Sequence, residues 1–208
     1  MSESNGRAGL SVHRSEALTD GIYAVAMTLL VIELKLPEHG AIHGGHDLAQ
    51  ALANLLPKVL AWVISFFVLA IFWFGHHRAF SYVRRADGKL VALTIVQLAF
   101  VSLMPFSSAL VGEHGRELLS QVIYSLNMFA LAVAGLLTWR HIHLHLERAL
   151  MAITAPVYRG ARIRLLGLMV ISVAAVAIGW VLPAAGNMAF LLMAVIMPLS
   201  RRAERGAM

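Results

Sequence analysis

The chain has 208 residues, of which 59% are hydrophobic and 13% charged, and its formal net charge is +6. A soluble domain averages about 45–50% apolar and about 25% charged residues, so this composition describes an integral membrane protein. The absence of cysteine excludes disulfides, thiolate metal sites and thiol nucleophiles.

The opening MSESNGRAGLSV is polar and lacks the apolar core of a cleavable signal peptide, so the first span is expected to direct insertion. That span reads Ser15–Leu36, within RSEALTDGIYAVAMTLLVIELKLP, and at about 1.5 Å per residue it crosses a hydrocarbon core of about 30 Å. It carries Glu16 and Asp20 near one end and Glu33 and Lys35 near the other. An acid inside a span is expensive and by default marks function. Leu18, Ile22, Val25, Leu29, Ile32 and Leu36 recur at alternating steps of four and three, one apolar seam of period 3.5 with Asp20 pointing nearly opposite. Such a seam suits ordinary helix packing or a pore lining, and the small residues Ala17 and Gly21 equally suit close helix contact. Asp20 has two readings of its own. It is an acid favoured by the positive helix N-terminus, or one held from another helix by Trp73, His76 or Arg78 at the same depth.

Five more apolar blocks follow: Leu55–Phe74 with Pro57 in its first turn, Lys89–Val111 with a kink expected at Pro105, Leu118–Arg140, Ile163–Leu182 and the short Met188–Leu199. The fold class is therefore all-α, a polytopic protein of six transmembrane helices. Fourteen of the 17 Lys and Arg fall before the first span, after the second, after the fourth and after the sixth. Only Lys35, Lys58 and Arg116 lie on the other side, with a Gly- and His-rich loop, EHGAIHGGHD, and two short turns. Cytoplasmic loops collect Lys and Arg, so both termini are expected in the cytoplasm. Residues 1–208 read as one domain, with cytoplasmic tails at 1–14 and 201–208.

The later spans hold few polar groups: Thr94, Gln97, Ser102, Tyr124, Ser125 and Asn127. The acid pairs of secondary transporters are not legible among them. His76 and His77 end the second block, and His141, His143 and His145 follow the fourth. Histidine ligates metals readily, but in a helix His141 and His145 share a face while His143 points away. Interfacial hydrogen-bonding histidines are the plainer reading, and no metal site, catalytic residue or nucleic-acid contact is expected.

At these residues the sequence resembles a known family. Arg14-x-x-x-Leu18-Thr19-Asp20-Gly21, running into AVAMTLLVIELKLP, is similar to the Arg-x-x-x-Phe-Ser-Asp signature of the endolysosomal potassium channels named transmembrane protein 175, through their bacterial homologues. Phe72-Trp73-Phe74-Gly75-His76-His77-Arg78-Ala79-Phe80 and Leu103-Met104-Pro105-Phe106-Ser107-Ser108 extend the likeness over about half the chain. Leu18 replaces the signature phenylalanine and Thr19 the serine; threonine keeps the hydroxyl, while leucine removes an aromatic ring. The resemblance implies one six-helix repeat per chain, assembled as a symmetric tetramer around a pore lined by the first helix. It implies a hydrophobic constriction at Val25, Leu29 and Ile32 with Thr28 beside it, and no carbonyl-lined filter loop. It further implies that Arg14, Thr19, Asp20, Trp73 and His76 form a network bracing the pore helix. The function implied is a potassium-permeable channel in a bacterial inner membrane, with no cofactor beyond the permeant potassium ion. The partners implied are the lipid bilayer and further copies of the chain.

Two other classes compete: a proton-coupled transporter or proton leak using Asp20 and His76, and a membrane oxidoreductase with histidine-ligated metal. Glu33 either concentrates cations at the non-cytoplasmic mouth or caps a solvated helix end. The charge asymmetry makes a direct prediction. Accessibility tags at residues 2 and 207 should both report the cytoplasmic side; opposite sides would overturn the even span count.

Overall fold

The computed structural model describes residues 12–36, 44–145, 154–182, 185–193, 196 and 200. Among these the chain forms α1 (Val12–Ile32), α2 (Gly45–Asn54), α3 (Leu56–Phe80), α4 (Gly88–Ser102), α5 (Met104–Glu113), α6 (Leu118–Leu144) and α7 (Ala155–Val181), then a 3-10 helix at Gly186–Leu192. No β-strand occurs among the described residues. Five stretches are long and apolar enough to cross a membrane: α1, α3, α4 with α5, α6 and α7. Backbone groups in hydrocarbon must be satisfied within their own segment, which is why every crossing is helical.

The helices run past the apolar blocks at their charged ends. Hydropathy stops at Phe74, but α3 continues through GHHRAF to Phe80. Likewise α6 reaches Leu144 rather than Arg140, and α7 begins at Ala155, eight residues before Ile163. The helical backbone is indifferent to leaving the bilayer. At about 1.5 Å per residue, 27 residues exceed a hydrocarbon core of about 30 Å. Those overhangs carry His76, Arg78, His141, Arg159 and Arg162. The Gly- and His-rich loop also gives way, from Gly45, to α2, with Ala51 buried and Leu48 and Leu52 exposed. Of the expected block Met188–Leu199, residues 194–195 and 197–199 lie outside the described residues. Its described start is the second half of the 3-10 helix.

The block Lys89–Val111 is interrupted close to where the kink is expected, at the single residue Leu103, whose backbone stays helical. Asp87 Oδ1 caps α4 by accepting from the Leu90 amide at 2.9 Å. The helix then breaks at Leu103, two residues before Pro105. Proline has no N–H for the turn behind it and disfavours helix at the residue before it, so the chain restarts as α5. Ser102 and Ser107 turn their hydroxyls onto the Ala99 and Met104 carbonyls, at 2.8 Å and 3.2 Å, around this break.

Packing is inverted relative to a soluble protein. Phe67, Phe74, Leu126, Val170, Val173 and Trp180 are exposed, whereas Ser65, Gln97, Ser107, Gln121 and Asn127 are buried. The polar residues find each other across helices. Ser65 on α3 donates to Ser108 on α5 at 2.9 Å and lies 2.9 Å from the Tyr124 hydroxyl on α6. Asn127 on α6 donates to Ser107 on α5 at 3.1 Å. These contacts hold both halves of the broken span against the rest, as interhelical hydrogen bonds do in lipid. Of the five crossings α6 is the most enclosed and α1 the least.

One junction has no spare volume. The Gln121 side chain lies against Gly179 of α7 and Gly186 of the 3-10 helix, and a Cβ on either glycine would overlap Gln121 Oε1. Gly179→Ala should therefore lower the melting temperature in detergent, by about 1–3 kcal/mol of overpacking. Gly88→Ala, where a Cβ meets nothing within 4 Å, should leave it unchanged. Pairing Gly179→Ala with Gln121→Ala should recover part of the loss; strictly additive losses would show that the two sites do not touch.

Candidate functional site

Helix α1 divides cleanly by exposure. Thr19, Tyr23, Ala26 and Leu30, at steps of four, three and four, face the chain's own α3, α4 and α5 and are buried. The opposite side is exposed: Val25 is 57% exposed, Leu29 42% and Ile32 53%, with Leu18 also outward; the helix ends at Ile32, so Leu36, expected on the same seam, lies beyond it. Ile22, on the edge of the seam, is half-buried. Between the seam and Asp20 lie Ala17, Gly21 and Ala24, all exposed, and a Cβ at Gly21 would meet nothing within 4 Å. Thr28 is exposed too; its hydroxyl donates to the Val25 carbonyl at 2.8 Å, leaving oxygen lone pairs outward. Among the described residues this face is left exposed.

The acid expected inside the protein is not enclosed by it. Asp20 lies exposed on the single chain, because it sits past the edge of the buried arc rather than at its centre. Its carboxylate is nonetheless engaged: Trp73 Nε1 on α3 donates to Asp20 Oδ1 at 2.8 Å. Trp73 stacks on His77, with ring centroids 6.1 Å apart. Thr19 Oγ1 gives its proton to the Ser15 carbonyl at 2.9 Å and lies 3.4 Å from His76 Nε2. The hydroxyl proton being committed, the contact calls for the imidazole tautomer protonated on Nε2. His76, at the end of the apolar block, makes this contact from inside the bundle. It is buried and stacked on Phe80, centroids 4.2 Å apart. Arg14 is exposed in the first turn of α1.

A third contact behind α1 involves residues the sequence reading left unpaired. Gln97 Nε2 on α4 donates to the Tyr23 hydroxyl at 3.1 Å, both side chains being buried. Tyr23 follows Thr19 by one turn on the same face, the one signal that marked it. At the far end of the bundle Lys58 of α3 pairs with Glu113 of α5 at 2.7 Å. Both line a crevice that also reaches Glu33 and Leu34 beyond α1.

The remaining histidines join helix ends. His141 Nε2 lies 3.0 Å from both oxygens of Asp87, linking the last turn of α6 to the cap of α4. His143 stacks on Tyr158 of α7, centroids 4.2 Å apart. Among the described residues no group of three His, Cys, Asp or Glu could hold a metal ion.

A bundle of long apolar helices, with polar groups turned inward and apolar side chains outward, is a membrane-embedded architecture. The family model described as "Endosomal/lysosomal potassium channel TMEM175" matches residues 14–105. A potassium channel of Streptomyces collinus is 37% identical over 159 residues, covering 73% of this chain and 74% of its own. The endosomal/lysosomal proton channel TMEM175 of Homo sapiens is 31% identical over 145 residues, 65% of this chain but 29% of that longer protein. The crystal structure of a lysosomal potassium-selective channel TMEM175 homolog from Chamaesiphon minutus superposes with a TM-score of 0.75 at 26% identity, covering 91% of this chain and 97% of that one. The class is thus an ion channel of the membrane, not an enzyme. Within that class, the chain belongs to the TMEM175 family.

The Trp73–Asp20 bond joins two half-exposed groups, so a double-mutant cycle of Asp20→Ala with Trp73→Phe should give a coupling of about 0.5–1.5 kcal/mol. Asp20→Ala should reduce the yield of assembled protein on size exclusion and leave ion preference unchanged. A well-assembled Asp20→Ala protein with altered ion preference would place Asp20 in the conduction path instead.

Proposed function

We propose that the chain is a potassium-permeable cation channel whose conduction path is lined by the outward face of α1. The observation that carries this reading is the exposed seam: Val25, Leu29 and Ile32 share one face and stay exposed on the single chain, in the least enclosed of the five crossings. A single narrow stripe cannot enclose a conduit, so several copies meet around an axis, and closed cyclic symmetry supplies them. Four copies, each with six transmembrane helices in one domain spanning 1–208, make the assembly. Both termini, with tails at 1–14 and 201–208, face the cytoplasm of a bacterial inner membrane.

Selectivity follows from hydration. An apolar ring offers a cation no replacement for its water, so passage favours the ion that distorts its shell more cheaply, potassium over sodium. The same ring can close by dewetting. Thr28, about 60° round the helix from the centre of the seam, presents hydroxyl lone pairs beside it. No carbonyl-lined filter and no cofactor take part. Arg14, Thr19, Asp20, Trp73 and His76 brace α1 from behind. The names of the bacterial relatives as potassium channels support this permeant. Proton permeation is the second reading, favoured by the animal relatives named proton channels. A coupled transporter using Asp20 and His76 is less favoured, because both side chains are engaged with Trp73, Thr19 and Phe80.

The test is substitution on and off the seam. Leu29→Asn places an amide in each copy's share of the ring, so water persists there. In liposomes sodium flux should rise relative to potassium, and total flux should rise with it. Leu30→Asn, about 100° round and only 2% exposed, should lower stability or yield and leave ion preference alone. Altered selectivity from Leu30 without any from Leu29 would mean a misassigned pore face. No change of flux from Leu29→Asn in assembled protein would remove α1 from the pore.

A further inference from the structure

Three side-chain contacts hold α1 from behind, and they go to two different helices. Asp20–Trp73 and Thr19–His76 lie on adjacent residues and both reach α3. The third, Gln97 to Tyr23, lies one turn further in and reaches α4. We propose that the Tyr23–Gln97 hydrogen bond is the positioning contact that sets the rotation of α1 about its axis, and through it the reach of Val25 and Leu29 into the pore. The inference rests on the reading of α1 as the pore helix.

Two ties at neighbouring residues fix α1 against one helix only, at one depth. A directional bond to a second helix, offset along the axis, adds the reference that fixes its azimuth against the rest of the bundle. The rest of the buried face, Ala26 and Leu30, packs through apolar contact, which resists separation and has little preference for azimuth. Packing is also incomplete at this level. Gln97 and His76 line a crevice with a cavity volume of about 30 Å³, partly open at its mouth, and a Cβ at Gly75 on its wall would meet nothing within 4 Å.

The lever is direct. Tyr23 and Val25 are two residues apart, about 200° round the helix, so they stand nearly opposite. Rolling α1 by about 10° moves a Cα at about 2.3 Å radius by about 0.4 Å. Cyclic symmetry repeats that shift in every copy, so an apolar ring that gates by dewetting is changed on every side at once. The energetics point the same way. Tyr23 is 1% exposed and Gln97 3%, and Gln97 also lies beside His76. A phenylalanine and a leucine of similar shape would fill the same volume without burying polar groups. What the polar pair adds beyond packing is direction.

The test uses full-length protein in liposomes, reading the potassium-to-sodium flux ratio and the melting temperature together. Tyr23→Phe removes only the hydroxyl, and Gln97→Leu removes its donor. Each should lower the ratio by about threefold, the equivalent of about 0.6 kcal/mol for an average interhelical bond in a membrane. The double variant should match the single ones, not their product. Ser65→Ala breaks a buried bond of similar kind that does not touch α1, and should lower the melting temperature with the ratio unchanged. If Tyr23→Phe and Gln97→Leu behave as Ser65→Ala does, the pair is merely structural and the inference is overturned. Leu29→Asn measured alongside separates the two levels. A ratio moved by Leu29→Asn but not by Tyr23→Phe overturns the positioning role alone. A ratio moved by none of them overturns the pore reading as well.

Discussion

A polar group in hydrocarbon has no water to return to, and that constraint arranges most of this molecule. Ser65, Ser107, Ser108, Tyr124 and Asn127 sit deep in a bundle whose outside is leucine, valine and phenylalanine. Each is placed so that its hydroxyl or amide meets another across a helix boundary. The same constraint explains how Pro105 is tolerated within a crossing. The break at Leu103 loosens backbone carbonyls, and serine hydroxyls on both sides take up part of the slack. The polar interior is therefore the framework on which the divided span is held.

Helix α1 stands apart from this framework because it is asymmetric. Its inner face is fastened by directional contacts to α3 and α4. Its outer face, from Leu18 to Ile32, is apolar and exposed on the single chain. The small residues Ala17, Gly21 and Ala24 lie between the apolar seam and Asp20, which is the arrangement that close approach of another helix needs. One helix thus carries an anchoring face, a small-residue face and an apolar seam, and membership of a channel family gives that division a use.

Charge is sorted along the bundle axis. The last turns of α3 and α6 and the first turns of α4 and α7 come together at one end, as the contacts of His141 with Asp87 and of His143 with Tyr158 require. The Arg-rich segments flank those turns. A histidine near the C-terminus of α6 and an aspartate at the N-cap of α4 each complement the local helix dipole, so their pairing strengthens two helix ends at once. Lys58 and Glu113 tie α3 to α5 at the opposite end.

Composition and hydropathy alone determined that the protein is helical and membrane-embedded, because burying backbone in lipid leaves so few solutions. The sequence also carried the family signature, since Arg14, Asp20 and the Phe72–Phe80 segment are contiguous motifs that need no fold to be read. Helix ends were less legible: hydropathy reports where lipid stops, not where backbone hydrogen bonding stops, so α3, α6 and α7 outran their apolar blocks. The α2 helix was hidden for a related reason, its short alanine-rich run following a glycine- and histidine-rich stretch. Which side of α1 is buried was beyond the sequence. Periodicity gives relative angles round a helix, but the zero of angle is set by how α1 lies on α3, α4 and α5. That placement turned Tyr23 inward to Gln97, 74 residues away, and left Asp20 at the surface with Trp73. Pairings over such separations depend on crossing angles and depth, which no local pattern encodes.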